Sequence, residues 1–493
     1  MTNQQSSYRQ IMKATSIFGG VQVLQIIIGI IRSKFIAMLL GPAGMGISGL
    51  LQSTTGLIAG LTNFGLSTSA VKDIAAANNS GDTEQLNKTV SVFKNLMLLT
   101  GLAGFILTIG SAPLLSHLTF NNNHYTWAFV LLSVTLLANQ LSAGQAALLQ
   151  GLRKVSHLAK TSLLGNVLGL VLTIPLYYLY GINGIVPAII ISACITLLLN
   201  WYFASKLNIK KTNITLSETF SEGKTMLKMG FLISLNGLIV LFIAYIVRIF
   251  INQYGNLEDV GLYNAGFAII NSYVGMVFVA MGTDYYPRLS AVANDIVKTN
   301  QTINQQAEIA LLLIVPIVIA FIFSVNWLIQ ILYSNAFLPI QQMLLYAALG
   351  MVFKALSWSI AFIFLAKGKS KAFFYNEIIA NLYILAFNLA GYYYYGLTGL
   401  GYAFLITFVL YCVQVCLVAS KLFHYKLSRN LVLVLFINII LTLIALSIAL
   451  KFSGLPFYLL GLVLFILSGI YSFYGLNQRL ALVQLIKSKF GKD

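Results

Sequence analysis

The stretch YGINGI (180–185) recurs as YGLTGL (395–400), 215 residues further along, and each copy closes a tyrosine-rich apolar run, YYLY and YYYY. Working outward from this pair, Asn166 answers Asn381 at the same offset and Arg32 answers Arg248 at 216. Gly46-x-x-Gly49 answers Gly261-x-x-Asn264 after a one-residue slip. An offset that holds across half the chain marks an internal repeat, and its period is long enough to contain several membrane spans.

Composition supplies the spans. Of 493 residues, 58% are hydrophobic and 9% charged, and the mean hydropathy is +0.85. No soluble domain of this size has such values. Apolar runs between polar breaks predict fourteen spans, near 14–40, 44–70, 90–116, 126–149, 159–179, 184–205, 228–252, 260–282, 305–333, 339–366, 372–394, 398–420, 430–450 and 455–475. Each is long enough to cross a bilayer as a helix, which needs about 20 residues. Each repeat then holds six spans, an even number, so both copies insert the same way, related by an axis along the membrane normal. The expected fold is an all-α polytopic membrane protein, with a six-helix lobe in 1–220, a second in 221–427, and two further helices with a basic tail in 428–493.

The chain carries 30 Lys and Arg against 12 acids. Nucleic-acid binders cluster such cations on polar, soluble elements, and none exists here. In the fourteen-span scheme all basic residues except Arg32, Lys34, Arg248, Lys354 and Lys451 fall in the loops, termini and adjoining span ends of one side. The positive-inside rule makes that side cytoplasmic, with both termini there. The opposite loops, TFNNNHY (119–125), YGING and YGLTG, contain no Lys or Arg. The first apolar run, preceded by Arg9 and Lys13, reads as an uncleaved span rather than a signal peptide. Cys194, Cys412 and Cys416 sit in apolar runs without metal-ligand spacing and read as small hydrophobes. No metal or cofactor is expected, and no general base or metal-binding Asp-x-Asp motif supplies the chemistry of a glycosyltransferase, polymerase or ligase.

The cations inside spans separate by helix face. At 100° per residue, Thr15, Gln22, Gln25, Gly29, Arg32 and Ser33 share one stripe of span one, and Lys34 lies on another face, where it is expected to snorkel outward. Span two aligns Gly49, Gln52, Ser53, Gly56, Gly60, Asn63 and Ser67, a pattern that either tight packing or cavity lining explains. Span seven aligns Ser234, Gly237, Tyr245, Arg248 and Asn252; span eight aligns Asn264, Asn271, Gly275 and Gly282. Lys354 sits near the middle of span ten, where a charge costs roughly 2.5–3.5 kcal/mol on insertion scales. Glu308, Glu377 and Asp284 lie nearer the ends of their spans, and no acid lies inside a span of the first half. Asp284 and Arg288, at i and i+4, read as a structural charge pair. The arrangement predicts a cationic cavity between the lobes that awaits an anion from outside the protein. Arginine suits a pyrophosphate headgroup, because its planar fork donates bidentate hydrogen bonds and keeps its charge.

RSKFIAMLLGPAGMGISGLLQS (32–53) and LEDVGLYNAGFAIINSYVGMVFVAMGTDYYPRLSAV (257–292) resemble the signatures of the multidrug/oligosaccharidyl-lipid/polysaccharide superfamily, and within it the Wzx-type O-antigen and lipid-linked oligosaccharide flippases. The resemblance covers the whole chain. It implies alternating-access transport of undecaprenyl-pyrophosphate-linked glycan across the bacterial inner membrane, beside glycan polymerase or ligase machinery. It also supports substrate contact by basic residues of spans one and seven, here Arg32 and Arg248. The full expected set is Arg32, Arg248, Lys354, Gln25, Gln52, Asn63, Tyr245 and Asn271. Span two offers no cation, so no basic contact is carried over there. The rival reading is a multidrug or organic-cation antiporter of the same superfamily, which needs a membrane carboxylate that the first lobe lacks.

Overall fold

The computed structural model describes residues 3–480 other than 208, 211 and 272–274. Among them, ten helical segments are long and apolar enough to cross a membrane. Three of these, Leu24–Thr62, Val155–Ser205 and Ser370–Phe423, run 39, 51 and 54 residues, about twice what one crossing requires. Each contains a glycine of positive φ, Gly41, Gly181 or Gly396, where the helical path breaks. Each is therefore two traverses. One more comes in two pieces, Leu257–Ile269 and Met276–Ala291, and the total matches the fourteen spans that hydropathy predicts.

In chain order the helices are α1 (Asn3–Thr62), α2 (Leu66–Asn79), α3 (Thr83–Phe120), α4 (Thr126–Gly151), α5 (Val155–Tyr180), α6 (Ile185–Ser205) and α7 (Leu216–Tyr254). They continue with α8 (Leu257–Ile269), α9 (Met276–Ala291), α10 (Ile296–Leu332), α11 (Gln341–Ala366), α12 (Ser370–Phe423), α13 (Arg429–Lys451) and α14 (Gly454–Leu480). Starts are chemically marked. Asp82 accepts hydrogen bonds from the N–H groups of Glu84 and Gln85 to cap α3, and Thr215 with Glu218 forms a reciprocal capping box on α7.

The repeat is written into backbone geometry. Gly181 has φ 54° and ψ −131°, and Gly396, its mate at 215, has φ 58° and ψ −142°. Only glycine takes this conformation without clash, which is why the motif survives in both copies. The turn before each hairpin also matches. Arg153 (φ 55°) and Gly368 (φ 64°) are left-handed at the same offset. Lys154 N–H bonds to Leu149 O at 2.8 Å and Lys369 N–H bonds to Phe364 O at 3.0 Å.

Packing divides the described chain into two compact units, Met1–Gly261 with Leu332–Ser334, and Leu262–Ile331 with Asn335–Asp493. The first is built on α1 to α7, with α7 packed on α1, α2 and α3. Its core at one end joins Leu66, Ala70 and Ile74 of α2 to Phe93, Leu96 and Met97 of α3 and Met226 of α7. At the other end the chain bend after Gly41 touches the start of α8. A Cβ on Gly46 would lie 1.9 Å from Leu257 O, and one on Gly261 would lie 1.8 Å from Pro42 O. The two contacts are mates at the repeat offset, so the repeat makes a reciprocal, isologous contact with itself. Span two ends at Thr62, short of the expected residue 70. Asn63 Oδ1 accepts the Gly65 N–H at 2.9 Å, and the amphipathic α2 begins just beyond.

The second unit is centred on α10 and α11. Ala307, Leu311, Ile314, Val318, Ile322 and Ile329 share one face of α10 and are fully buried, while Leu313, Ile317, Trp327 and Ile331 on the opposite face are exposed and apolar, the pattern of a helix that turns one side to the core and the other to lipid. The hairpin of α12 packs on α11, and α13 joins α11 to α14.

Candidate functional site

In the first unit the side chains of Thr15 and Gln22 lie outside those described, and the next member of the α1 stripe, Gln25, donates its amide to the Ser162 hydroxyl on α5. Both line a cavity of about 320 Å³ shared with Asn166, Thr196 and Asn200. Asn200 donates to Ser142 Oγ at 2.8 Å, while its buried Oδ1 has no hydrogen-bond partner. Two turns along α1 from Gln25 stands Arg32, half-buried. Between them Gly29 faces open space, as do Gly56 and Gly237 in the stripes of α1 beyond the bend and of α7. Gly60 differs, lying against Leu238 of α7. The small residues of span two therefore serve both purposes: Gly56 lines open space and Gly60 lets helices approach.

The remaining expected residues of this unit take distinct roles. Gln52 is exposed and donates to Ser48 Oγ at 2.8 Å. Asn63 holds the turn that ends α1. Arg248, half-buried, donates from Nη1 to Ala244 O at 2.8 Å. Tyr245 is buried, and its hydroxyl lies 3.0 Å from Thr119 Oγ1, itself 3.2 Å from Thr54 Oγ1. This hydroxyl chain ties α7, α3 and α1 together, so Tyr245 fixes the helix that carries Arg248. Lys34 donates to Tyr333 O at 2.5 Å, just past the end of α10.

In the second unit Lys354 is held without a carboxylate among the described residues. Its Nζ is 3.3 Å from Asn271 Oδ1 and lies over the rings of Phe408 and Phe404, 5.1 and 5.7 Å from their centroids. Next to Asn271, the Ile270 carbonyl accepts the Gly275 N–H at 3.1 Å. Each ring face contributes on the order of 0.5–2 kcal/mol, comparable to the insertion cost, and neither supplies a counter-charge. The side chain of Asp284, expected to pair with Arg288, lies outside those described; Arg288 donates to Gln306 Oε1 at 2.7 Å.

Two acidic positions were legible in sequence without their partners. Glu377 on α12 accepts the Tyr411 hydroxyl at 2.6 Å, beside Gln414, which donates to Asn376 Oδ1 at 2.8 Å. Glu308 on α10 pairs with Arg479 of α14 at 2.6 Å and accepts from Ser428 Oγ at 3.3 Å. These groups, with Arg288, line a cavity of about 600 Å³. Sequence separations of 34 and 171 residues carry no periodicity that would pair them. Cys194, Cys412 and Cys416 are free thiols.

Residues 35–342 match the family described as polysaccharide biosynthesis protein. The lipid III flippase of Escherichia coli (strain K12) is 21% identical over 406 residues, covering 79% of this chain and 93% of that protein; the lipid III flippase of Shigella flexneri matches to the same extent. Among solved structures, the lipid II flippase MurJ in an inward closed conformation shares 17% identity at a TM-score of 0.70, over 94% of this chain and 99% of that one. An inward-facing multidrug resistance MATE family transporter follows at 16% identity and a TM-score of 0.65, over 87% and 96%. At these identities the structural likenesses establish a shared fold.

Proposed function

The chain belongs to the polysaccharide biosynthesis protein family, within the multidrug/oligosaccharidyl-lipid/polysaccharide superfamily, and from that premise we propose that it is a flippase for lipid-linked oligosaccharide. Its substrate is an undecaprenyl-pyrophosphate-linked glycan of the O-antigen type or a related surface glycan. It moves from the cytoplasmic to the outer leaflet of the bacterial inner membrane by alternating access, with both termini of the chain on the cytoplasmic side. The observation that carries the reading is Lys354, a cation at mid-span matched by an amide and two ring faces rather than by an acid among the described residues. Arg32 adds a second such cation: among the described residues it has neither hydrogen bond nor ion pair. The phosphates supply the missing negative charge, Arg32 and Arg248 grip them through guanidinium forks, and uncharged Gln and Asn side chains meet the sugars. The names of the related lipid III and lipid II flippases support a lipid-linked substrate. Glycan polymerase or ligase machinery is the expected neighbour on the outer side.

The test uses purified chain in proteoliposomes with a fluorescent undecaprenyl-pyrophosphate oligosaccharide. Arg32→Gln and Arg248→Gln are each expected to slow headgroup translocation by at least about tenfold, the equivalent of one charge-assisted hydrogen bond. Normal translocation by both correctly inserted variants sinks the reading. The second reading, a cation antiporter, rests on the Glu377–Tyr411 pair and on the MATE-like fold. Ion-driven uptake of a cationic dye that is lost in Glu377→Gln, in a chain that does not move the lipid, selects it.

A further inference from the structure

One polar cavity lies apart from the cationic stripes. In the first unit, the C-terminal end of α3 and the junction between α7 and α8 border an open recess of about 730 Å³, within the range of roughly 300–1,000 Å³ typical of small-ligand sites. Its polar lining is Asn121, Asn122, Asn252, Gln253, Asn256 and Glu258, with Phe120 as its aromatic wall. Five carboxamides, one carboxylate and no cation form a specific donor set. It repels phosphate, and with a single carboxylate it is a poor cage for a divalent ion.

The carboxamides are partly spent on the fold, and what remains is complementary. Asn252 donates its Nδ2 to Thr119 O at 2.9 Å, leaving Oδ1 as an acceptor. Gln253 places Nε2 at 3.5 Å from Leu118 O, leaving Oε1. Asn256 uses Oδ1 to accept the Asp259 N–H at 2.9 Å, leaving Nδ2 as a donor. Asn122 spends both ends, on Phe120 O and on the His124 N–H, and so shapes the loop. Asn121 sits in the left-handed region at φ 56° as the cap of α3. The acceptors Asn252 Oδ1, Gln253 Oε1 and the Glu258 carboxylate thus share one cavity with the donor Asn256 Nδ2, a mixed set that sugar hydroxyls, each both donor and acceptor, satisfy. Aromatic surface borders it. Phe120 stacks on Tyr125 at 3.9 Å, and Tyr254, next to Gln253, is exposed and packs on Phe250 at 4.3 Å.

Its position extends the α7 stripe. Asn252 is one turn beyond Arg248, about 6 Å along the helix axis. The cavity also lies beside Leu257, at the end of the unit where the bend after Gly41 packs, which the charge rule assigns to the outer side. We propose that this cavity is a docking subsite for one or two uncharged sugar rings. Its role as the place where the glycan lands while phosphate is near Arg248 rests on the flippase reading; its sugar chemistry does not.

Full-length chain in nanodiscs is probed by saturation-transfer NMR with millimolar chitobiose and, separately, maltose. Transfer to at least one disaccharide is expected, reduced about tenfold in Asn252→Ala/Gln253→Ala and in the solvent-facing variant Glu258→Gln. Thermal unfolding of each variant identifies any that fails to fold, and Glu258→Gln, which alters an exposed side chain only, keeps the test open in that event. No transfer to either disaccharide, transfer indifferent to both variants, or displacement of the sugar by inorganic pyrophosphate overturns the proposal. Sugar binding by a chain that does not translocate lipid leaves the subsite standing and removes the flippase. Translocation without sugar binding does the reverse.

Discussion

The hairpin of α5 and α6 and the hairpin of α12 turn their chains in the same way and then diverge in chemistry. Gly181 and Gly396 share one left-handed geometry. Asn166 donates to Ser162 O at 2.8 Å and Asn381 donates to Glu377 O at 2.9 Å, one helical turn back in each case. Yet the mate of Ser162, which receives the amide of Gln25, is Glu377, which receives the hydroxyl of Tyr411. A backbone that needs glycine or an i−4 carbonyl constrains its residue; a side chain facing a cavity is free to change. The first unit thus holds neutral groups where the second holds a charge.

Substitutions at matched positions break or sharpen this comparison. The largest effect is expected from Gly399→Val, whose Cβ would sit 1.8 Å from Gly391 O, followed by Gly184→Val, 2.4 Å from Leu176 O. Both should lower stability by about 3 kcal/mol or more, because backbone cannot move aside as a side chain can. Fluorescence-detected size exclusion of heated samples reads the loss, and two wild-type melting curves would show that the hairpins do not share this close approach. Tyr411→Phe should follow at about 2 kcal/mol, the worth of a hydrogen bond to a charged acceptor. Gly181→Ala and Gly396→Ala should each cost about 1–2 kcal/mol and agree with one another, since the same left-handed strain applies; a large disparity between the two melting temperatures breaks the equivalence. Ser162→Ala should be the mildest, about 1 kcal/mol or less, for a neutral pair beside a cavity. If it matches Tyr411→Phe, the contrast between neutral and charged hairpins is without energetic content.

Much of this was readable in advance because membranes simplify the code. Hydropathy located the spans, and YGINGI and YGLTGL exposed the repeat because a left-handed turn admits little but glycine. The stripe of Gln25, Gly29 and Arg32 followed from 100° periodicity. Contacts between distant helices did not. Tyr245 shares the face of Arg248, yet it is buried against Thr119, 126 residues away. Lys34 finds a carbonyl 299 residues away. Periodicity says which face a side chain is on, and only packing says what stands opposite. The end of α1 was missed for a local reason: Asn63 closes a turn through its own side chain, without the proline or charge that marks a span end.

The most direct test of the central claim is the initial rate of pyrophosphate-lipid translocation in proteoliposomes for Lys354→Met beside Lys354→Arg. Loss of at least about tenfold in the methionine variant, with most of the rate restored by arginine, is the predicted result, because the claim concerns charge at that depth. A correctly inserted Lys354→Met that translocates at the wild-type rate contradicts it.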